Sequence, residues 1–303
     1  MRSVQNIGQI TKAMELVAAT KMRRSQELAL GSRPYAYTAL EILGVIANLK
    51  DVPMPALLTA RPVAHTAFMI VTSDKGLAGS FNGSVFRKFE QYVKANKIDP
   101  RDPKYSFIAI GQKAKSYLEH RGMNAVQSFT RVGDYTRMEE VNPISEALIE
   151  GYLKEQFDEV IAFSTNFITA LRQDVLVRQI LPISLETIKE SIQSLIPEAG
   201  RFSQYIDKEL YADGNEQNVE YLIEPSPAVV LGELARTLLK VRLYHMILEA
   251  NASEHSARRV AMKNASDNAS EISEDLTVIY NKSRQASITN QIIEVTSGAQ
   301  ALT

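Results

Sequence analysis

A glycine-bearing loop, four histidines and a few adjacent carboxylates are the residues of this 303-residue chain whose types and spacing could do chemistry. The loop Gly76-Leu77-Ala78-Gly79-Ser80-Phe81-Asn82-Gly83 follows a strand-like run and precedes an amphipathic segment, so its amides are placed to cradle a phosphate. It lacks the four-residue gap and the trailing Gly-Lys-Ser/Thr of a P-loop, and it does not match G-x-G-x-x-G, which favours a tight βα turn over nucleotide binding. His65, His120, His245 and His255 have no i, i+4 partner and no carboxylate arranged as a ligand triad, and read as surface or packing residues. Glu139-Glu140 and Glu274-Asp275 fall in helical patterns, where neighbours point in different directions, so neither makes an acid/base dyad. The chain has no cysteine, which removes disulfides, thiol catalysis, Fe–S clusters and Cys zinc sites. The expectation is a protein with no catalytic residue, cofactor or metal of its own.

The elements around these residues are set by where helix breakers fall. All 11 prolines lie between Pro34 and Pro227, and Glu233 to Ser297 contains neither Gly nor Pro. With Ser226 as cap and Pro227 at the first helical position, the remaining chain predicts a rod of roughly 110 Å at about 1.5 Å per residue. A second helix is predicted at the N-terminus, with Gly8 as its weak point before Gly31 and a continuation after Pro34 from Tyr37 to Asn48. Along the C-terminal rod, Met262, Ala265, Ala269, Ile272, Leu276, Ile279, Ser283, Ala286, Asn290 and Ile293 follow the a/d rhythm of a coiled coil. Val4, Ile7, Thr11, Met14 and Ala18 do the same at the other end. Half of these positions are small or polar, so the two helices are expected to approach closely while burying little area. Glu249 to Ser270 shows no broad apolar face and predicts a slender, mostly polar rod.

Between the helices the pattern alternates α and β, giving a three-layer domain from about residue 60 to 225. Strands are predicted at Thr66–Thr72, Tyr105–Ile110, weakly at Val126–Phe129, and as an adjacent pair at Glu159–Asn166 and Val175–Ile183. Helices are predicted at Ser84–Lys97, Gln112–His120 and Tyr135–Gln156. Residues 184–219 are ambiguous, with Asp213 to Asn218 read as an exposed turn.

The net charge of −1 gives no whole-molecule field to draw in nucleic acid or an anionic membrane. Up to Arg33, however, Arg2, Lys12, Lys21, Arg23, Arg24 and Arg33 outweigh Glu15 and Glu27, a local excess suited to acidic partner loops. No aromatic residue is interleaved with these bases before Tyr35, which argues against nucleic acid. The N-terminus has no apolar h-region and no stretch approaches 18 apolar residues, so a soluble, intracellular protein is expected.

Four blocks then resemble the gamma-subunit family of F-type ATP synthases. They are V-Q-N-I-G-Q-I-T-K-A-M-E-L-V-A-A-T-K-M-R-R-S-Q (Val4 to Gln26) followed by R-P-Y; T-S-D-K-G-L-A-G-S-F-N (Thr72 to Asn82); Y-L-I-E-P-S-P (Tyr221 to Pro227); and S-A-R-R-V-A-M-K-N-A-S-D-N-A (Ser256 to Ala269), running into N-K-S-R-Q-A-S-I-T and G-A-Q-A-L. The resemblance spans the chain in order and implies an α/β fold: a long antiparallel coiled coil of N- and C-terminal helices (1-58 and 226-303) plus a central Rossmann-like α/β foot domain (59-225). It implies a non-catalytic central rotor shaft coupling proton or sodium translocation to ATP synthesis or hydrolysis. The implied partners are the α and β subunits of an α3β3 hexamer, the epsilon subunit and the c-ring, on the cytoplasmic face of a bacterial plasma membrane. By motif matching, Lys12, Met14, Lys21, Arg23, Arg258, Arg284, Gln285 and Thr289 would meet the α and β subunits. Tyr221, Ile223 and Glu224 would lie at the foot, near the c-ring and epsilon. The sequence departs from the family in carrying fewer residues ahead of Val4, in Gly8, in Gln291 after I-T-N, and in lacking a regulatory cysteine pair. The competing reading from residues alone is a nucleotide-binding or scaffolding α/β protein with coiled-coil arms.

Overall fold

The computed structural model describes residues 2–31, 53–123, 125–132, 136–183 and 223–301. The predicted segment Tyr37 to Asn48, the ambiguous stretch 184–219 and Tyr221 lie outside them. Helix α1 spans Arg2–Gly31, a 3-10 turn Ala56–Leu58, strand β1 Thr66–Val71, helix α2 Phe81–Ala95, β2 Tyr105–Ile110 and α3 Gln112–His120. They are followed by β3 Ala125–Phe129, α4 Met138–Leu153, β4 Glu159–Phe167, β5 Gln173–Leu181 and α5 Pro227–Ala301. With no Gly or Pro between Gly232 and Gly298 to interrupt it, α5 runs unbroken for 75 residues. The amide of Val229 reaches the Ser226 hydroxyl at 3.4 Å, so the predicted cap is in place.

The sheet order is β3-β2-β1-β4-β5. Strands β1 to β4 run parallel, and β5 returns antiparallel beside β4 as the predicted adjacent pair. Every residue of β1 is buried, as continuous apolar runs in a doubly covered parallel sheet require. On one face Phe68, Phe107 and Phe163 pack with Val85 and Phe89 of α2 and Leu118 of α3. On the other, Met69, Ile108 and Val160 pack against α4 and the first third of α5, through Leu231, Leu239 and Leu248 among others. That face would stay open without α5, so the long helix completes the central core as well as forming the rod. The weakly predicted β3 is real and stands at the open edge, which explains its mostly exposed residues.

Local chemistry moves several predicted boundaries. Helix α2 starts three residues ahead of the predicted Ser84, because Asn82 and its neighbours already wind helically while the Asn82 side-chain oxygen Oδ1 accepts the Ser73 amide at 3.0 Å. Helix α4 is shorter than the Tyr135–Gln156 pattern: its first turn is closed by Glu140, which accepts the Arg137 amide at 2.9 Å.

The coiled coil forms with the predicted Ala18, Met262 and Ala269 buried in its seam, but not with Ile7 and Ile272. Ile7 and Ile272 are 53% and 50% exposed and face outward. Gly8 takes the place of Ile7 opposite the predicted Ala269: a Cβ added at Gly8 would lie 3.5 Å from the Ala269 Cβ, and the Ser266 hydroxyl reaches the Gly8 carbonyl at 3.4 Å. The smallest side chains occupy the seam because close backbone approach satisfies more contacts than isoleucine would at a wider spacing. Since that Cβ would sit in ordinary contact, Gly8→Ala should raise the stability of the chain by about 0.5–1 kcal/mol, read as a higher urea midpoint with unchanged slope.

The stretch Glu249 to Ser270 corrects a second expectation, that of a solvated polar rod. Its first part is buried, with Ser253, Glu254, His255, Ser256 and Arg258 all at or below 9% exposure. Here α1 covers one side and the sheet the other, and most of the polar groups are paired inside, the Ser253 hydroxyl having no hydrogen-bond partner among the described residues. Arg178 on β5 bridges Glu249 at 3.0 Å, Ser256 donates to the Ala170 carbonyl at 2.6 Å, and Asn251 donates to Thr136 at 2.8 Å.

At the opposite end of the sheet, Asp158 ties the segment before β1 to the end of α4. It accepts the amides of Ala64 and His65, each at 2.9 Å, and the Arg61 guanidinium at 2.6 Å. Arg61 also bonds the Tyr152 and Phe157 carbonyls and lies over the Tyr152 ring at 4.4 Å. The His65 amide is the main cause holding the Asp158 carboxyl below its ordinary range, helped by Ala64 and Arg61 against the opposing effect of burial. A carboxyl depressed in the folded state adds stability that is present above its unfolded value and lost as pH falls through the folded one. Acid titration of unfolding should therefore show stability falling below about pH 4, and Asp158→Asn should flatten that limb while lowering stability at neutral pH.

Candidate functional site

The glycine loop is consumed by structure. The Thr72-Ser73-Asp74 run ahead of it caps α3: the Asp74 carboxylate accepts the Gln112 amide at 2.8 Å, the Ser73 carbonyl that of Lys113 at 3.1 Å, and the Thr72 hydroxyl that of Ala114 at 2.7 Å. Farther along, Ala78 is buried and Gly79, with φ +55°, sits 3.6 Å from the Ala257 carbonyl by its notional Cβ. The loop is a wedge between the sheet and α5.

Arg258 belongs to that wedge, and its expected place on a partner-facing surface is corrected. It is 8% exposed, pairs with Glu254 on its own helix, donates to the Gly76 carbonyl at 3.3 Å and lies 3.1 Å from His255 Nδ1. Because a guanidinium only donates, that imidazole nitrogen accepts. Arg258 therefore fastens the rod to the α/β layer.

The other predicted residues divide between two levels of the rod. Lys12 is exposed and paired with Glu15 at 2.9 Å, and Glu15 is itself buried in the seam. Arg23 is exposed and bridges Glu27 at 3.0 Å, while Met14 and Lys21 are half-buried along α1. These four lie on the stretch where two helices run side by side. Arg284, Gln285 and Thr289 are exposed on α5 alone, with the Thr289 hydroxyl turned back to the Gln285 carbonyl at 2.9 Å. The antiparallel register that sets Gly8 against Ala269 puts Arg2 near residue 275, so Arg284, Gln285 and Thr289 lie past the level of the described part of α1. Ile223 packs against the larger core at the start of the final segment, and Glu224 beside it is exposed.

Sequence reasoning missed the apolar character of this exposed stretch. Val278, Tyr280 and Ile292 are large, apolar and more than half exposed, along with Ile10, Leu16 and Val17 on α1, and Ile288 is 48% exposed. Their signal was present as apolar residues off the a/d positions in an otherwise polar helix. A periodicity search discards them because it looks for one stripe. Among the described residues no group of three His, Asp or Glu side chains is placed to hold a metal, and no helix is long and apolar enough to cross a membrane.

A long two-helix rod fastened to an α/β layer, with exposed apolar residues along it, defines a stalk-type protein that works by contact with neighbours. The ATP synthase family model matches residues 1–302. A relative from Roseiflexus sp. (strain RS-1), described as ATP synthase gamma chain, is 38% identical over 100% of this chain and 96% of its own length. Another of that description, from Geotalea daltonii, is 36% identical over 99% and 95%. The chain belongs to the ATP synthase gamma-chain family. Among solved structures, a chain of the central stalk and c-ring of the Tetrahymena thermophila mitochondrial ATP synthase superposes with a TM-score of 0.58 at 22% identity, covering 85% of this chain and 99% of that one. A chain from the Euglena gracilis mitochondrial enzyme gives 0.60 at 14% identity, covering 99% and 91%. At those identities the likeness concerns the fold: an α/β sheet carrying a long helical rod.

Proposed function

We propose that this chain is the central rotor shaft of an F-type ATP synthase, a non-catalytic subunit that couples proton or sodium movement through a membrane ring to ATP synthesis or hydrolysis. The observation that carries the reading is the unbroken α5, rooted in the core of the α/β layer at one end and exposed over residues 278–294 toward the other. Torque applied to the foot reaches the tip through one hydrogen-bonded helix, stiffened over its middle by α1. The rod's surface is asymmetric: basic side chains of α1 at the level of Lys12 and Arg23, and Arg284, Gln285 and Thr289 of α5 beyond. Turning such a shaft inside a ring of α and β subunits changes which contacts each catalytic subunit makes, and so shifts its conformational population without any bond to ATP. Met14 and Lys21 belong to the same α/β-facing set. Tyr221, Ile223 and Glu224 are assigned to the foot, against epsilon and the c-ring. The chain divides functionally into 1-58, 59-225 and 226-303, and sits peripherally on the cytoplasmic face of a bacterial plasma membrane.

Reconstitution tests the reading. The purified chain should hydrolyse no ATP, and adding it to its α and β partners should yield an assembled complex with restored ATPase activity. ATP hydrolysis by the chain alone, or failure to assemble with those partners, overturns it.

A further inference from the structure

A cavity of about 360 Å³ opens outside the carboxyl ends of β1 and β2, where the sheet meets α5. Its volume falls in the range of small-molecule sites, and the carboxyl ends of parallel strands are where open α/β sheets usually take their ligands. Val71, Ile110, Val132 and Ile247 give it an aliphatic floor, and Asn251 stands on the α5 wall.

The charges around it are two carboxylates and two cations, and the carboxylates are the ones engaged within the fold. Of the two lining carboxylates, Asp74 accepts the Gln112 amide at 2.8 Å and Glu254 is paired with Arg258. The two lining cations, Lys75 and Arg131, are exposed and make no ion pair among the described residues. They come from different loops, one after β1 and one after β3. Arg131 is held at φ +60°, a left-handed backbone that costs a non-glycine residue about 1 kcal/mol or more. Two cations with no ion pair among the described residues, over an aliphatic floor, suit a dianion attached to an uncharged body.

We propose that this cavity binds a small organic phosphate monoester, with Lys75 and Arg131 on the phosphate and the aliphatic floor under the organic part. The ligand would bridge the sheet edge and α5 through Asn251, at the level where the rod leaves the foot. The site is separate from the surfaces assigned to the rotor, and its failure would leave that reading untouched.

Calorimetric titration of the full chain tests it with three probes: AMP, adenosine and inorganic phosphate. AMP should bind, adenosine should not, and phosphate should bind at least about tenfold more weakly than AMP. Lys75→Glu and Arg131→Glu, both on exposed side chains, should each weaken AMP by about tenfold or more while circular dichroism stays unchanged. No AMP binding up to about 5 mM, or unaltered AMP affinity in the double variant K75E/R131E, overturns the proposal. Phosphate binding as tightly as AMP overturns it too, because the floor would then contribute nothing.

Discussion

Arg258→Ala should cost the chain about 3–5 kcal/mol, among the largest losses available from a single side chain. The substitution leaves the Glu254 carboxylate, 11% exposed, buried without its guanidinium, and it removes the donors to the Gly76 carbonyl and to His255. The energy at stake is mostly the desolvated charge left behind, so the loss should shrink when that charge is removed as well. Urea unfolding of Arg258→Met, Glu254→Gln and the double variant gives the coupling directly. A double variant more stable than Arg258→Met alone is the expected result. A cost for Arg258→Ala under about 1 kcal/mol, in the range of exposed pairs, would mean that the rod is not fastened to the glycine loop as described. In assembled complexes the same variant should lower thermal stability without selectively weakening attachment to the α and β subunits, since Arg258 faces inward.

The second large effect is at Gly111, the residue between β2 and α3. Its φ is +91°, and a Cβ there would run into the Thr72 carbonyl oxygen, part of the backbone that lines β1 against β2. Neither group can yield, because the Gly111 amide donates to Phe129 and the Thr72 amide to Ile110, holding three adjacent strand ends together. Gly111→Ala should therefore cost roughly 3–4 kcal/mol, combining left-handed strain with a backbone clash. Gly122→Ala is the matched control: φ is +66° but a Cβ meets nothing within 4 Å, so only the conformational cost of about 1–2 kcal/mol remains. Equal losses at the two glycines would show that the close approach at Gly111 carries no energy.

The two variants disturb different joints. Arg258 joins rod to foot, whereas Gly111 joins strand to strand within the foot. Hydrogen exchange should separate them, with Arg258→Ala loosening amides of α5 near residue 258 and Gly111→Ala those of β2, β3 and α3.

The resemblance of the N- and C-terminal blocks identified the family, and the distribution of breakers set the long helix: a 65-residue run without Gly or Pro leaves the backbone no cheap place to stop. Local spacing was also enough for β1, β2, α3 and the β4–β5 pair, because apolar runs bounded by turn residues constrain a strand on their own. What spacing could not decide was phase and environment. Ile7 and Gly8 are neighbours, and either can head an a/d series; only the approach of Ala269 from the opposite helix selects glycine. Glu254, Ser256 and Arg258 look like a solvated face in one dimension, and become interior when α1 and the glycine loop close over them, since burial belongs to the surfaces that meet and not to the helix that carries the residues. The cations of the cavity, Lys75 and Arg131, lie 56 positions apart in sequence, and only the parallel pairing of β1, β2 and β3 brings their loops to one edge.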